Sequence, residues 1–320
     1  MKATEYKTVF ETFGLEIEYV SLESIYPFAP VFRYQKGTDD FIIKRTKTPP
    51  FSRAENLLNW TKSISDDSIK VVTPIDSISP NPVEIDDKVW IVYPFVRGIL
   101  YSGIPEHLIG AADLLGRIHA HQPEIDFGLP RFTWDNFDDD YNKELEGDLS
   151  NLNALGKKLN LDSTPALVKK IELFLTDKLP QLKKHDLPLV NATWDYKANN
   201  LVYSEDNRPT LIDPDNAGRI PRLFDLALAL ILFNNEFITA PPRMLTVFEW
   251  ELFRNQYLSL IELTEVEKEI WQDFLFFVFI DEAIWLILDT EFDESGWGNP
   301  HQKKFLLSLM NFSFEDYKIL

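Results

Sequence analysis

From Leu15 to about Phe95 the chain is a series of short apolar or alternating runs, LEIEYVSLES, PVFRYQKG, DDFIIKRT, KVVTPI and DKVWIVYPF, separated by Gly, Pro and Asp. Period-two alternation with such boundaries predicts β-strands, and QKGTDD predicts a hairpin turn between the second and third. One helix interrupts the series. Ser52 is placed to cap it, Glu55 holds the reciprocal capping-box position, and AENLLNWTKSI continues it. After FVRG (95–98) the period changes to that of amphipathic helices. EHLIGAADLLGRIHAH carries Leu108, Ala111, Ala112, Leu115, Ile118 and His119 at helical spacing. Further helices are predicted over PALVKKIELFLTDKLPQL, RLFDLALALILFNN, TVFEWELFRNQYLSL and EVEKEIWQDFLFFVFIDEAIWLILDTEF. In this half only LVY (201–203) and TLID (210–213) read as strands, joined by SEDNRP. The pattern predicts an α+β chain in two lobes: a small β-rich lobe over 1–95 and a larger, mainly helical lobe over 96–320.

Composition narrows the class. With 24 Phe and 8 Trp among 320 residues, the chain can build a large core. Its longest apolar runs, LALALILF (226–233) and FLFFVFI (274–280), are far short of the ~18–20 residues that cross a bilayer. MKATEYKTVFETFG contains no apolar signal segment, so a cytoplasmic location is expected. Cysteine is absent, which excludes disulfides, thiolate metal sites and a Cys nucleophile. Acidic residues outnumber basic ones 51 to 32, for a net charge of −19. A field of that sign repels nucleic acid and anionic membrane and attracts cations, so neither of the first two is expected as a partner. A cationic small-molecule substrate or a divalent metal fits the charge, as does plain solubility. His119 and His121 lie two apart on a predicted helix and face different sides, a poor zinc pair. His119, on the apolar face, is expected to be a satisfied core residue.

The chemistry gathers in TWDYKANN (193–200) and TLIDPDNAG (210–218). Carboxylates beside apolar strands are unfavourable unless something pairs with them. The series D-Y-K-A-N-N-L-V-Y…T-L-I-D resembles the catalytic core of the aminoglycoside phosphotransferase and choline kinase-like branch of the protein-kinase superfamily. The order of the other elements agrees: Lys44 ends the strand in FIIKRT, Glu55 is in the next helix, VWIVYPFVRG stands where the hinge would be, LLGRIHAH follows, and Asp195, Asn200, Asp213, NAGR and Asp225 come in turn. The resemblance implies a protein-kinase-like two-lobed fold, ATP or GTP as phosphate donor, and Mg²⁺. It implies that Asp195 aligns the acceptor hydroxyl and takes its proton, while Asn200 and Asp213 supply hard oxygen ligands to the metal. Asp215 would support a second metal or cap the turn, and Asp225 would hold the catalytic loop by hydrogen bonds. Lys44 would anchor the α/β-phosphates with Glu55 holding its ammonium. A capping box remains the alternative for Glu55, and a basic edge shared with Arg45 and Lys47 the alternative for Lys44.

Two features depart from the family pattern. Thr193-Trp194 stands where His-Gly is common before the catalytic Asp, and the nucleotide-covering stretch SLESIYPFAPVFRY has no glycine, leaving Ser21, Ser24 or backbone N–H groups as candidate phosphate contacts. On the acceptor side, Asp281, Trp285 and Asp289 fall at four-residue spacing along one predicted helical stripe, suited to ammonium groups and a cation–π contact. The expectation is a kinase acting on a hydroxyl of a small, cationic acceptor, an aminoglycoside-like antibiotic or related natural product. A metabolic kinase of choline, homoserine or sugar type, or a non-catalytic pseudokinase, are the alternatives.

Overall fold

β1 (Val31–Lys36) and β2 (Asp39–Arg45) form an antiparallel hairpin across Gly37–Thr38, where Gly37 takes φ 61°, a conformation that favours glycine. β3 (Val83–Ile85) and β4 (Lys88–Pro94) form a second hairpin across Asp86–Asp87, and β4 pairs with β2, giving the order β1-β2-β4-β3. The structure is a computed structural model that describes residues 1–26, 29–46, 51–66, 68–235 and 238–320. Two of the predicted strands are absent from this sheet. LEIEYVSLES is a 3₁₀ turn at Ile17–Tyr19 followed by isolated bridges from Val20 to Tyr34 and from Glu23 to Lys2, and KVVTPI contributes a single bridge from Val71 to Leu211. The alternation misled because residues 20–25 are held to the sheet by serine side chains as well as backbone. Ser21 Oγ accepts the Arg33 N–H at 3.1 Å and Ser24 Oγ accepts the Val31 N–H at 2.9 Å. Both hydroxyls also donate to carbonyls of their own loop, so they are engaged in shaping it.

The sheet buries both faces. Phe32, Ile43, Trp90 and Val92 pack under Val9 and Phe10 of α1 (Lys7–Thr12). On the other face Val89, Ile91 and Tyr93 meet Ala54 and Leu58 of α2 (Phe51–Ile64). This helix starts at Phe51, so Ser52 lies inside its first turn rather than ahead of it, and no Ser52–Glu55 capping box forms. Its opposite stripe, Leu57, Trp60 and Ile64, belongs to the large core of the rest of the chain. One amphipathic helix with two apolar stripes thus serves both lobes. Val72 adds a second tie by donating its N–H to the Leu211 carbonyl at 2.9 Å.

Beyond Pro94 the chain leaves this sheet. β5 (Ile99–Leu100) pairs with β7 (Leu201–Tyr203), which pairs with β8 (Pro209–Leu211), and β6 (Leu189–Ala192) pairs with β9 (Gly218–Pro221). Around these short ribbons pack α3 (Pro105–Ala120), α4 (Asp139–Leu159), α5 (Thr164–Leu173), α6 (Leu179–Leu182), α7 (Arg222–Leu232), α8 (Val247–Leu258), α9 (Glu265–Val278), α10 (Ile284–Asp289) and α11 (Pro300–Met310). The predicted helix over 265–292 is therefore α9 and α10 joined through a π-helical turn, Phe279–Ala283. α7 is buried from Leu223 to Leu232, and each fully buried Leu, Ile or Phe on it stabilises the fold by roughly 1.5–3 kcal/mol. Its one charged buried residue is Asp225, with no exposed surface.

Candidate active site

A cleft of about 1250 Å³ opens between the sheet and the helical part, lined by Lys44 and Tyr93 from the sheet, Arg97 from the connecting segment, and Asp195, Lys197, Asn200 and Asp213 from the ribbons. Strand alternation brings Ile42 and Lys44 to the cleft face of β2. The Lys44 ammonium lies 2.6 Å from Asp213 Oδ1 and 3.1 Å from Asp215 Oδ2. Burial alone would pull its pKa down, but the charges of Asp215 and Asp213 outweigh burial and hold it above the ordinary lysine value. Glu55 is elsewhere: it is exposed on α2 and makes no ion pair with Lys44, whose partners are the two aspartates. Lys47, part of the alternative basic edge, lies outside the described residues.

The catalytic-loop candidate follows β6. Asp195 Oδ2 accepts from Asn216 Nδ2 at 3.0 Å and from Asn200 Nδ2 at 3.3 Å, while Oδ1 lies 3.1 Å from the Lys197 ammonium. Asn200 is buried and also donates to the Asp195 carbonyl at 2.9 Å, so its amide oxygen remains for other partners. The Thr193-Trp194 departure has a structural counterpart. Thr193 donates both its N–H, at 3.0 Å, and its hydroxyl, at 2.8 Å, to Asp225 Oδ2. His119 reaches the same oxygen from α3 at 3.4 Å and contacts the Tyr257 hydroxyl at 2.9 Å through its other nitrogen, the satisfied core histidine expected from its spacing. Trp194 has φ 53°, a left-handed conformation that costs a bulky residue roughly 1–2 kcal/mol. Its ring lies over Gly218, where an added Cβ would come within 2.5 Å of a ring carbon, and it packs near Phe132 and Phe224. The indole fills core space that the glycine leaves open.

The part of the cleft wall where the sequence placed the acceptor is built by α10 and the loop after it. Trp285, Leu286, Asp289 and Glu291 line the cleft, and Trp285 is 59% exposed. Asp281 does not share their face. The π-helical turn inserts an extra residue into the register, so Asp281 turns toward α4 and accepts from the Tyr141 hydroxyl at 3.4 Å. The loop past Asp289 is pinned by Trp297, whose backbone N–H donates to the Glu291 carbonyl at 2.8 Å and whose indole N–H donates to the Ile287 carbonyl at 3.2 Å.

A family model described as "Phosphotransferase enzyme family" matches residues 29–252. The chain belongs to that family. No curated protein matches it in sequence. Among solved structures, the microcompartment-associated aminopropanol kinase superposes with a TM-score of 0.69 at 16% identity, covering 97% of this chain and 95% of that one. Spectinomycin phosphotransferase APH(9)-Ia, in complex with ADP and spectinomycin, gives 0.67 at 12% identity over 98% of both chains. Amicoumacin kinase hAmiN, in complex with AMP-PNP, Ca²⁺ and Ami, gives 0.62 at 15% identity over 99% and 94%. At these identities the likeness is one of fold, the protein-kinase-like two-lobed fold.

Three residues of this phosphotransferase's cleft region escaped the sequence reading. Lys197 and Asn216 stand inside the motif stretches, but nothing in their spacing shows that both touch Asp195. Glu282 is the third. Burial pushes its carboxyl up to about 8, the charges of Asp281 and Asp195 add to the rise, and Lys197 opposes it. Burial also raises Asp281 to about 6, against the Tyr141 hydrogen bond. Two adjacent acids inside the apolar run FLFFVFIDEAIWLIL were the visible signal.

Two outcomes are expected. Between pH 4.5, the ordinary glutamate value, and about 8 the folded chain keeps a proton on Glu282 that the unfolded chain has lost. Stability therefore falls as pH rises through that window. Glu282→Gln should be more stable than wild type at the upper end by about 1–3 kcal/mol after allowing for relaxation around the group, with the gap closing toward the lower end. Urea unfolding at several pH values measures this, and a pH-independent difference would contradict it. Thr193→Val removes one buried hydrogen bond to a charged acceptor and should cost roughly 1.5–3 kcal/mol in the same experiment. A change within about 0.5 kcal/mol would mean that the Thr193 N–H and His119 suffice to hold Asp225.

Proposed function

We propose that this phosphotransferase is a small-molecule kinase that moves the γ-phosphate of ATP or GTP to a hydroxyl of a small, cationic acceptor. The observation that carries the reading is that one cleft holds, side by side, a lysine–aspartate cluster for the nucleotide and an aspartate fixed by two amides for the acceptor. Residues 1–95 are taken as the nucleotide-binding lobe and 96–320 as the lobe carrying the catalytic loop and acceptor site.

On this reading Lys44, held charged by Asp213 and Asp215, binds the α/β-phosphates, and Lys197 lies where the γ-phosphate must approach Asp195. Asp195 orients the acceptor hydroxyl and takes its proton as the oxygen bonds to the γ-phosphorus. The bond from that phosphorus to the β–γ bridging oxygen breaks, and its electron pair leaves with the nucleoside diphosphate. Little covalent help is required, so positioning and charge account for most of the rate.

The residues present fit Mg²⁺. No three His, Asp or Glu side chains converge on one point among the described residues. Mg²⁺ needs no such cage, since it commonly takes one or two carboxylates and completes its shell with phosphate oxygens and water. The Asp213 carboxylate, 40% exposed to the cleft, and the Asn200 amide oxygen are the ligands of choice, with Asp215 beside them. When bound, the ion would neutralise charge on the phosphates.

Support for a cationic acceptor comes from Trp285, Asp289 and Glu291 on the cleft wall: an exposed indole face and carboxylates attract ammonium groups. The relative named for aminopropanol acts, by that name, on an amino alcohol. Asp281, grouped with Trp285 and Asp289 by spacing, faces Tyr141 and is left out of the acceptor wall. Among the described residues no helix is long and apolar enough to cross a membrane.

Asp195→Asn tests the proposal. With γ-labelled ATP or GTP, Mg²⁺ and a panel of amino alcohols and aminocyclitols, the variant should lose roughly 10²- to 10⁴-fold in turnover. Its melting temperature and nucleotide affinity should stay near wild type. Retained turnover would remove Asp195 from the chemistry.

A further inference from the structure

Asp195 is held more fully than an aspartate serving only as a base requires. An ionised carboxylate offers about four acceptor positions on its two oxygens. Both positions on Oδ2 are filled by side-chain amides, Asn216 at 3.0 Å and Asn200 at 3.3 Å, and Lys197 takes one on Oδ1 at 3.1 Å. The amide orientations follow from chemistry, since a carboxylate can only accept and Nδ2 is the donor of each amide. Among the described residues, one position remains, on Oδ1.

Asn216 has a second connection. It follows Asp215 directly in the turn from β8 to β9, the turn whose Asp213 and Asp215 bind Lys44 at 2.6 and 3.1 Å. Asp215 N–H donates to Asp213 Oδ1 at 3.3 Å and Ala217 N–H to the Pro214 carbonyl at 2.9 Å, which closes the turn on itself. Its far end is closely packed: a Cβ added at Gly218 would come within 2.5 Å of the Trp194 ring and 2.9 Å of the Pro130 carbonyl. A short, braced turn therefore carries the nucleotide-side carboxylates and, through one amide, the acceptor-side carboxylate.

We propose that Asn216 is a positioning residue for phosphoryl transfer: it occupies Asp195 Oδ2, leaves Oδ1 as the oxygen that takes the acceptor's proton, and sets Asp195 relative to Asp213 and Asp215. The inference rests on the reading of Asp195 as the proton acceptor. Asn200 alone cannot do this. It sits on the same loop as Asp195, whereas Asn216 reaches it from the turn that holds the nucleotide-side groups.

Asn216→Asp and Asn216→Leu, compared with wild type and Asp195→Asn, test it. Both keep the approximate shape of the side chain and remove the donor. The readout is γ-phosphate transfer from Mg·ATP or Mg·GTP to the same amino-alcohol and aminocyclitol panel, between about pH 5.5 and about pH 8.5. N216L should lose roughly 10- to 100-fold in turnover with nucleotide affinity within about twofold of wild type. N216D should lose at least as much at the alkaline end, where two carboxylates face each other. It should recover toward wild type at the acid end, where the introduced carboxyl takes up a proton and can donate again. A purely structural role would not produce that pH profile. A readout independent of turnover is the side-chain amide signal of Asn216 in a ¹⁵N spectrum, which should shift in Asp195→Ala.

If N216L and N216D match wild type while Asp195→Asn is inactive, the inference is overturned and the kinase reading stands. If Asp195→Asn keeps its turnover, the inference falls together with the reading of Asp195 it rests on; if no member of the panel is phosphorylated by wild type, the spectrum decides. An Asn216 signal unmoved by Asp195→Ala then overturns the contact, and a shifted one supports it. Loss of folding in both Asn216 variants would assign the residue to the fold and overturn the inference.

Discussion

The ion cluster of Lys44 with Asp213 and Asp215 is the interaction on which the rest of the cleft depends. An ammonium as buried as Lys44, 9% exposed, is costly unless countercharges lie beside it. Those countercharges come from a turn 169 residues away in the chain, so satisfying one lysine fixes the strand of the small sheet against the ribbons of the helical part. The same turn continues to Asn216 and Gly218, and from there to Asp195 and Trp194. A requirement local to one side chain becomes the geometry of the whole cleft.

A second buried charge organises the loop from behind. Asp225 has no exposed surface, and its Oδ2 draws in the Thr193 N–H, the Thr193 hydroxyl and His119. Donors spread over two elements can hold the base of a loop without a histidine inside it. The residue next to Thr193 is then free to be large, provided its volume has somewhere to go, and Gly218 supplies the space. Thr193, Trp194, Gly218 and His119 form one compensated set, and the departure from His-Gly does not by itself argue against chemistry at Asp195.

Much of the fold was legible because period-two and period-3.6 patterns change over at residues 95–98, and the ordered series Lys44, Asp195, Asn200, Asp213 is readable wherever a two-lobed cleft is suspected. What escaped was set by contacts that no local pattern encodes. The strand expected over LEIEYVSLES is replaced by a turn and a loop fastened through Ser21 and Ser24. Glu55 was paired with Lys44 by the order of elements, but its helix presents it to solvent and two aspartates take its place. The stripe Asp281–Trp285–Asp289 assumes an unbroken α-helix; the π-helical turn at Phe279–Ala283 moves Asp281 off it and leaves Glu282 near the charges of Asp195 and Lys197. One inserted residue reassigns two carboxylates.

The most direct test of a cleft built for a metal–nucleotide is thermal unfolding with ATP or GTP, each with and without Mg²⁺. A ligand that binds only the native state stabilises it by about 2.7 kcal/mol at a hundred times its dissociation constant. The arrangement of Lys44, Asn200 and Asp213 predicts a rise in the midpoint that needs nucleotide and Mg²⁺ together. An unchanged midpoint at millimolar concentrations of either nucleotide with Mg²⁺ would contradict it, and would leave the chain with the fold of a phosphotransferase but without its donor site.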